Sequence, residues 1–222
     1  MSTPAAFAPR LELEGDVDHV NAEKLAFRRA ALARDDRRTK MIELAAGVGY
    51  LTTEVYGDVY DDLALVEKDG PTFERLVRRV GRYADVRYFN KDATAFIAED
   101  LPAHLDFSAV DADFFGVAGE VVAAFVAAVA SKEEPFLLMA TDGGLATFRR
   151  RGLINLRRYY LYGPDEVARV PEGWGDRFEV FQERFIARLA ARYGFAADTV
   201  DLERNHNQTV LYSAYVLTPA RP

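Results

Sequence analysis

The sequence predicts an α/β fold: a mostly parallel, seven-stranded sheet with an antiparallel last strand and helices on both faces. Three observations carry this. Short apolar runs alternate with segments of helical period five times between Lys40 and Thr141, and parallel strands need crossovers of that kind. The chain then closes with an amphipathic helix and two β-rich stretches around Asn205-His206-Asn207-Gln208, a turn composition that joins neighbours antiparallel. Finally, 222 residues of which 50% are hydrophobic and 28% charged make one domain, with a core that buries roughly 70% of the unfolded surface.

In chain order, residues 1–38 read as an N-terminal extension with one helix, Asn21 to Asp35, whose apolar positions Leu25, Ala26, Ala30, Leu32 and Ala33 recur at helical spacing. This helix is expected to pack on the domain edge. The alternation starts with a strand from Lys40 to Ala45, a Gly turn and a helix from Tyr50. There follow a strand Leu63 to Glu67 and a helix near Pro71, a residue suited to a first turn. Next come strand Asp85 to Phe89, helix Ala93 to Asp100, strand Phe107 to Val110, helix Ala118 to Ser131 and strand Pro135 to Thr141. Residues 142–175 break the rhythm with arginines, tyrosines and Gly/Pro punctuation, and read as an insertion or lid. Helix Asp176 to Tyr193 shows Phe178, Phe181, Phe185 and Leu189 on one stripe, and strands Thr199 to Arg204 and Thr209 to Thr218 close the chain.

Composition removes several chemistries. With no cysteine and three scattered histidines, His19, His104 and His206, thiolate catalysis, iron–sulfur clusters and cysteine zinc sites are excluded and no metal is expected. The longest apolar run, Val121 to Ala130, falls short of the ~20 residues that span a bilayer. Met1 to Gly15 lacks a signal-peptide pattern, so no membrane contact and a cytoplasmic location are expected. A net charge of -7 repels nucleic acid on average, so a polyanion would have to be met by local basic patches. The densest is Arg149, Arg150, Arg151, Arg157 and Arg158; sparser ones run from Arg28 to Lys40 and from Arg75 to Arg82.

In open parallel sheets a ligand sits beyond the carboxyl ends of the strands, where strand order reverses. Strand one ends there in Glu43-Leu44-Ala45-Ala46-Gly47-Val48-Gly49-Tyr50-Leu51-Thr52, in which Gly47 and Gly49 allow close backbone approach. Glu67 follows Gly47 by 20 residues, the interval at which an acid reaches the hydroxyls of a bound ribose. A dinucleotide loop would place a third glycine where Thr52 stands. The segment resembles instead the cofactor loop of class I S-adenosylmethionine-dependent methyltransferases, and the likeness runs from Lys40 to Thr218. It implies the Rossmann-like methyltransferase fold with S-adenosyl-L-methionine as cofactor. On that likeness Glu43 opens the loop, Ala45, Gly47, Gly49 and Tyr50 form it, Glu67 and Lys68 meet the ribose, and Asp92 and Ala93 meet the adenine.

Strands four and five run into Asp111-Ala112-Asp113-Phe114-Phe115-Gly116 and Thr141-Asp142-Gly143. A methyl carried by a sulfonium is already electrophilic, so the enzyme must align the nucleophile and accept its proton. This stretch resembles the catalytic half of the tRNA guanine-N2 dimethyltransferases, whose pattern is Asp-x-Asp-Pro-aromatic-Gly. The likeness makes Asp113 the acceptor of the amino proton and Phe115 its catalytic neighbour, with Phe114 and Asp142 beside the substrate and the dense arginine cluster on RNA phosphates. Asp111 either anchors the turn or joins the chemistry beside the cofactor. Phe114 departs from the family's proline, and the family carries a second, RNA-gripping domain, which leaves room for a partner subunit to supply that grip. A small-molecule or protein methyltransferase with residues 142–175 as substrate lid is the alternative, and a cofactor-binding protein without turnover a third.

Overall fold

A computed structural model describes residues 22–83, 85–114, 116–144, 160 and 178–220. The strands are β1 (Lys40–Leu44), β2 (Asp62–Val66), β3 (Val86–Phe89), β4 (Ala109–Asp113), β5 (Phe136–Asp142), β6 (Phe195–Arg204) and β7 (Leu211–Pro219). They form a single sheet in the order β3-β2-β1-β4-β5-β7-β6. The first five are mutually parallel, while β7 runs antiparallel to both β5 and β6. After β1 the chain moves outward through β2 to β3 and returns to lay β4 on the other side of β1, so strand order reverses between β1 and β4. A crevice opens at that point.

The helices are α1 (Ala22–Ala33), α2 (Gly70–Val80), α3 (Ala93–Glu99), α4 (Gly119–Ala128) and α5 (Phe178–Arg192). Alternation along the strands divides the core in two. Ile42, Leu44, Val66, Val110 and Leu138 pack with Phe96, Val122, Phe125, Phe185 and Ile186 from α3, α4 and α5. On the other face Met41, Leu63, Leu65, Leu137 and Met139 meet Phe27, Leu32, Leu76 and Val80 from α1 and α2. All five residues of β1 and all seven of β5 are buried, as expected of central strands covered on both sides. The edge strand β3 is only half-buried.

Several elements differ from the sequence-based expectation. The helix expected from Tyr50 is a short turn continuing into a π-helical turn, Thr52–Tyr56, closed by Gly57 N–H on the Thr52 carbonyl at 2.7 Å. Its wide register carries Tyr56 inward. Next, β4 extends to Asp113 rather than stopping at Val110, because pairing with β1 and β5 holds two aspartates in the ladder, Glu43 opposite Asp111 and Asp113 opposite Thr141. Local strand propensity disfavours aspartate, and the ladder overrides it. Finally, α1 does not sit on the edge of the domain. It packs against the π turn, β6 and β7, with the Phe27 ring 5.8 Å from that of Tyr212, which sets α1 over the carboxyl ends of the strands. Asp142, expected to begin the insertion, is the last residue of β5. None of the described helices is long and apolar enough to cross a membrane.

Candidate active site

The turn after β1 is built from left-handed backbone. Ala45, Gly47 and Gly49 have φ of 60°, 58° and 83°, a region that a side chain disfavours and glycine tolerates. A Cβ on Gly49 would lie 2.6 Å from Val80 Cγ2 and 2.8 Å from Leu76 Cδ1, so Gly49 lets α2 close on the loop. Thr52, standing where a third glycine was sought, donates its hydroxyl to Glu43 at 2.6 Å. Glu43 is itself buried yet borders a cavity. Gly47 N–H donates to one oxygen of Glu67 at 3.0 Å, and Asp69 N–H to the other at 2.8 Å. Asn90 Nδ2 ties the end of β3 to the Glu67 carbonyl at 2.9 Å. At the start of α3, Asp92 accepts from the N–H and the hydroxyl of Thr94, which hold its carboxyl below the usual range.

Two cavities meet at this turn. One, of about 420 Å³, is lined by Ala45, Gly47, Glu67, Lys68, Asp92 and Ala93. The other, of about 530 Å³, is lined by Lys24, Glu43, Tyr50 and Thr141, with Asn205, Asn207 and Thr209 from the β6–β7 hairpin. Ala45, Gly47, Asp113 and Phe114 border both. The turn after β1 and the end of β4 therefore form a shared wall. Tyr50 carries the Arg79 guanidinium 3.9 Å from its ring centroid, a cation–π contact at the rim.

The two acids of β4 have different surroundings. Asp111 is fully buried, receives Arg28 Nε at 2.8 Å, Arg28 Nη2 at 2.7 Å and the Tyr56 hydroxyl at 2.5 Å, and lines neither cavity. Asp113 opens on both cavities and receives Lys24 Nζ at 2.9 Å on each oxygen. Arg28 Nη2 also donates to Thr141 Oγ1 at 2.9 Å, and Thr141 is the residue opposite Asp113 in the ladder. Burial alone would raise the Asp113 pKa; the charges of Lys24 and Arg28, the adjacent Thr141 hydroxyl and the bonds from Lys24 outweigh it and hold the carboxyl below its usual range. The Tyr56 phenol is pushed well above the ordinary range by burial and by the Asp111 charge, so it is a neutral donor.

The expected site residues thus divide. Glu43, Ala45, Gly47, Tyr50, Glu67, Lys68, Asp92, Ala93, Asp113 and Phe114 surround the paired cavities. Gly49 lies behind the loop against α2. Asp111, expected beside the cofactor and in the chemistry, is locked behind Arg28. Asp142, expected beside the substrate, is fully buried, accepts from Gly144 N–H at 2.6 Å and from the Tyr160 hydroxyl, and is pushed by burial up to about 6. Phe115, Arg149, Arg150, Arg151, Arg157 and Arg158 lie outside the described residues.

Sequence reasoning missed Lys24, Arg28 and the hairpin residues, and it noted Thr141 only as part of the stretch after strand five. A signal for the first two existed. Lys24, Phe27, Arg28 and Ala31 share one helical stripe, and all four are buried; the expectation followed Leu25 and Ala30 instead and treated Arg28 as part of a surface patch.

No protein-family model matches the chain, and no curated protein sequence matches it. Solved structures do. Trm1 from Pyrococcus horikoshii, in complex with S-adenosyl-L-methionine, is 20% identical with a TM-score of 0.64, covering 89% of this chain and 55% of that one. TYW2 from P. horikoshii, in complex with MeSAdo, is 14% identical with a TM-score of 0.56, covering 88% of this chain and 62% of that one. A precorrin-6y C5,15-methyltransferase from Geobacter metallireducens GS-15 is 11% identical with a TM-score of 0.53, covering 93% and 92%. The chain thus spans about half the length of the Trm1 structure. Its strand order and these likenesses agree: the fold is that of the class I methyltransferases.

Proposed function

We propose that the chain is an S-adenosylmethionine-dependent methyltransferase whose acceptor is an exocyclic nitrogen of a base in RNA, with tRNA as the leading substrate. The observation that carries this reading is the shared wall: the loop suited to the cofactor and the carboxylate suited to the nucleophile face each other across Ala45, Gly47, Asp113 and Phe114. The residues fit the cofactor. Glu67 spends one acceptor position of each oxygen on a backbone amide, which leaves each oxygen a lone pair for the two hydroxyls of a ribose. Asp92, at the same cavity, would accept from the adenine amino group, and Ala45 and Gly47 bring backbone close to the ligand. When bound, the cofactor supplies an electrophilic methyl group.

The chain's own residues then have four tasks. Asp113 accepts a hydrogen bond from the amino group, orients its lone pair and takes the proton released as the new bond forms. Phe114, bordering both cavities, offers a face on which a base held out of its helix can stack. Asp111 holds Arg28, which bonds Thr141 beside Asp113 and adds its charge to that of Lys24 at Asp113. The arginines 149–151, 157 and 158 would neutralise phosphates. The RNA-acting reading draws on the Asp-x-Asp-aromatic-aromatic-Gly stretch and on the likeness to Trm1. An RNA grip supplied by a partner subunit belongs to the same proposal.

The test is incubation with radiolabelled S-adenosylmethionine and, separately, bulk tRNA, DNA and a metabolite extract, followed by analysis of the labelled nucleosides. Label in an N-methylated base of tRNA is the expected result. Label confined to a metabolite or to DNA would replace the substrate, and binding of S-adenosylhomocysteine without any turnover would remove the enzyme.

A further inference from the structure

We propose that Lys24, from α1, is a positioning residue for this reaction: by bridging both oxygens of Asp113 it keeps that carboxyl ionised and fixes its plane, so that an acceptor faces the substrate amine. The inference rests on Asp113 being the acceptor.

The geometry is specific. Lys24 Nζ lies 2.9 Å from each oxygen of Asp113, with the two side chains only 7% and 14% exposed. A carboxyl so enclosed loses hydration, and burial acts to protonate it. Protonation would reverse its role, because a carboxylic acid donates to the lone pair of an amine and takes that lone pair out of the reaction. Two opposing cations are present, and they are not equivalent. Arg28 spends Nε and Nη2 on Asp111 and Thr141, so its charge is already matched by a carboxylate of its own. Lys24 bonds Asp113 directly. Of the other titratable groups nearby, Asp111 lies behind Arg28 and Tyr56, and Glu43 and Tyr212 line the same cavity. The acids among them add negative charge and favour protonation; Lys24, in direct contact, is the larger of the two opposing charges, with Arg28 the smaller. A two-point bridge also sets the rotation of the carboxyl, while each oxygen keeps a lone pair for the substrate.

No covalent step runs through Lys24. When a proton leaves the amine for Asp113, the ammonium beside it limits how strongly Asp113 retains that proton, which favours its passage to solvent.

The experiment is a titration of Asp113 by carboxyl-carbon NMR, assigned by its loss in Asp113→Asn, in the wild-type chain and in Lys24→Met, Lys24→Gln and Lys24→Arg. Alongside it, pH–rate profiles are taken with bulk tRNA. Circular dichroism and S-adenosylhomocysteine affinity establish that each variant is folded. The expected result is an Asp113 titration moved upward by one pH unit or more in Lys24→Met and Lys24→Gln. The acidic limb of the rate profile moves by the same amount, activity recovers at high pH, and Lys24→Arg returns both towards wild type. An unmoved titration in folded Met and Gln variants overturns the inference, as does an equal loss of rate at every pH. Failure of the underlying reading looks different: Asp113→Ala would then methylate at the wild-type rate whatever Lys24 does.

Discussion

The two ends of the sheet carry similar charge clusters and opposite consequences. At the amino ends Lys40, nearly buried, meets Asp106 and, at 3.3 Å, Asp62. Asp62 also pairs with Arg87, whose Nη1 lies 3.2 Å from His104 Nδ1. At the carboxyl ends Lys24 meets Asp113 and Arg28 meets Asp111. Both clusters tie a buried cation to strand-borne or loop-borne carboxylates. Only the upper one borders the two cavities described above. A buried ion pair is therefore not in itself a mark of a site, since structural networks look the same. What distinguishes the upper cluster is that one carboxylate of it, Asp113, faces the two cavities while its neighbour Asp111 is fully enclosed; in the lower cluster Asp106 opens on solvent instead.

That contrast can be broken by substitution, and the largest effect belongs to the closed pair. Arg28→Met leaves Asp111 buried without its cation, and a loss of about 3–5 kcal/mol is expected, read as a fall in the denaturant midpoint. If stability is unchanged, Arg28 and Asp111 are not the buried pair described here. Opening the cavity side should do the reverse: Asp113→Ala is expected to lower methyl transfer by about 100-fold or more while fold and cofactor affinity persist, the range typical of a lost acid–base group. A stability loss equal to that of Arg28→Met would erase the distinction between the two acids.

Asp142 sharpens the comparison through pH. Burial raises its pKa to about 6, above the value of about 4 for an unfolded aspartate. Its contribution to stability is therefore full below pH 4 and is lost as pH rises through 6. Asp113, held low, contributes in the opposite sense, present above pH 4 and lost in acid. The stability of Asp142→Asn relative to wild type should rise between pH 4 and pH 7 by about 2–3 kcal/mol, measured by urea unfolding at each pH. A flat difference would contradict the burial of an ionisable Asp142. A smaller effect is expected at the cofactor loop, where Glu67→Ala should weaken S-adenosylhomocysteine binding by about 10-fold in calorimetry, roughly one lost charge-assisted hydrogen bond. Lys40→Met, at the far end, should change stability by only about 1 kcal/mol, because one partner, Asp106, is largely exposed, and should leave methyl transfer untouched.

Much of this was legible in the sequence for physical reasons that can be named. Central parallel strands are buried on both faces, so β5 stands out as an apolar run from Phe136 to Ala140 and β1 as a shorter apolar stretch interrupted by Glu43, and the hairpin declares itself through its Asn-rich turn. The pairing of Gly47 with Glu67 was visible because the spacing follows from one strand–helix–strand unit. Arg28 was hidden because the sequence places it among Arg29, Arg34, Arg37 and Arg38, and only helical phase separates an arginine turned to the core from those in solvent. The start of β6 at Phe195, four residues earlier than Thr199, was hidden because its pairing with β7 passes through an irregularity between Thr199 and Asp201 that breaks the alternation.

The most direct measurement is a crystal structure of the chain with S-adenosylhomocysteine. It should show the ribose hydroxyls on Glu67, the adenine near Asp92 and the sulfur turned towards the cavity that Asp113 shares with Lys24. A ligand bound elsewhere, or a cleft left empty at saturating concentration, would contradict the assignment of this crevice and with it the role given to Asp113.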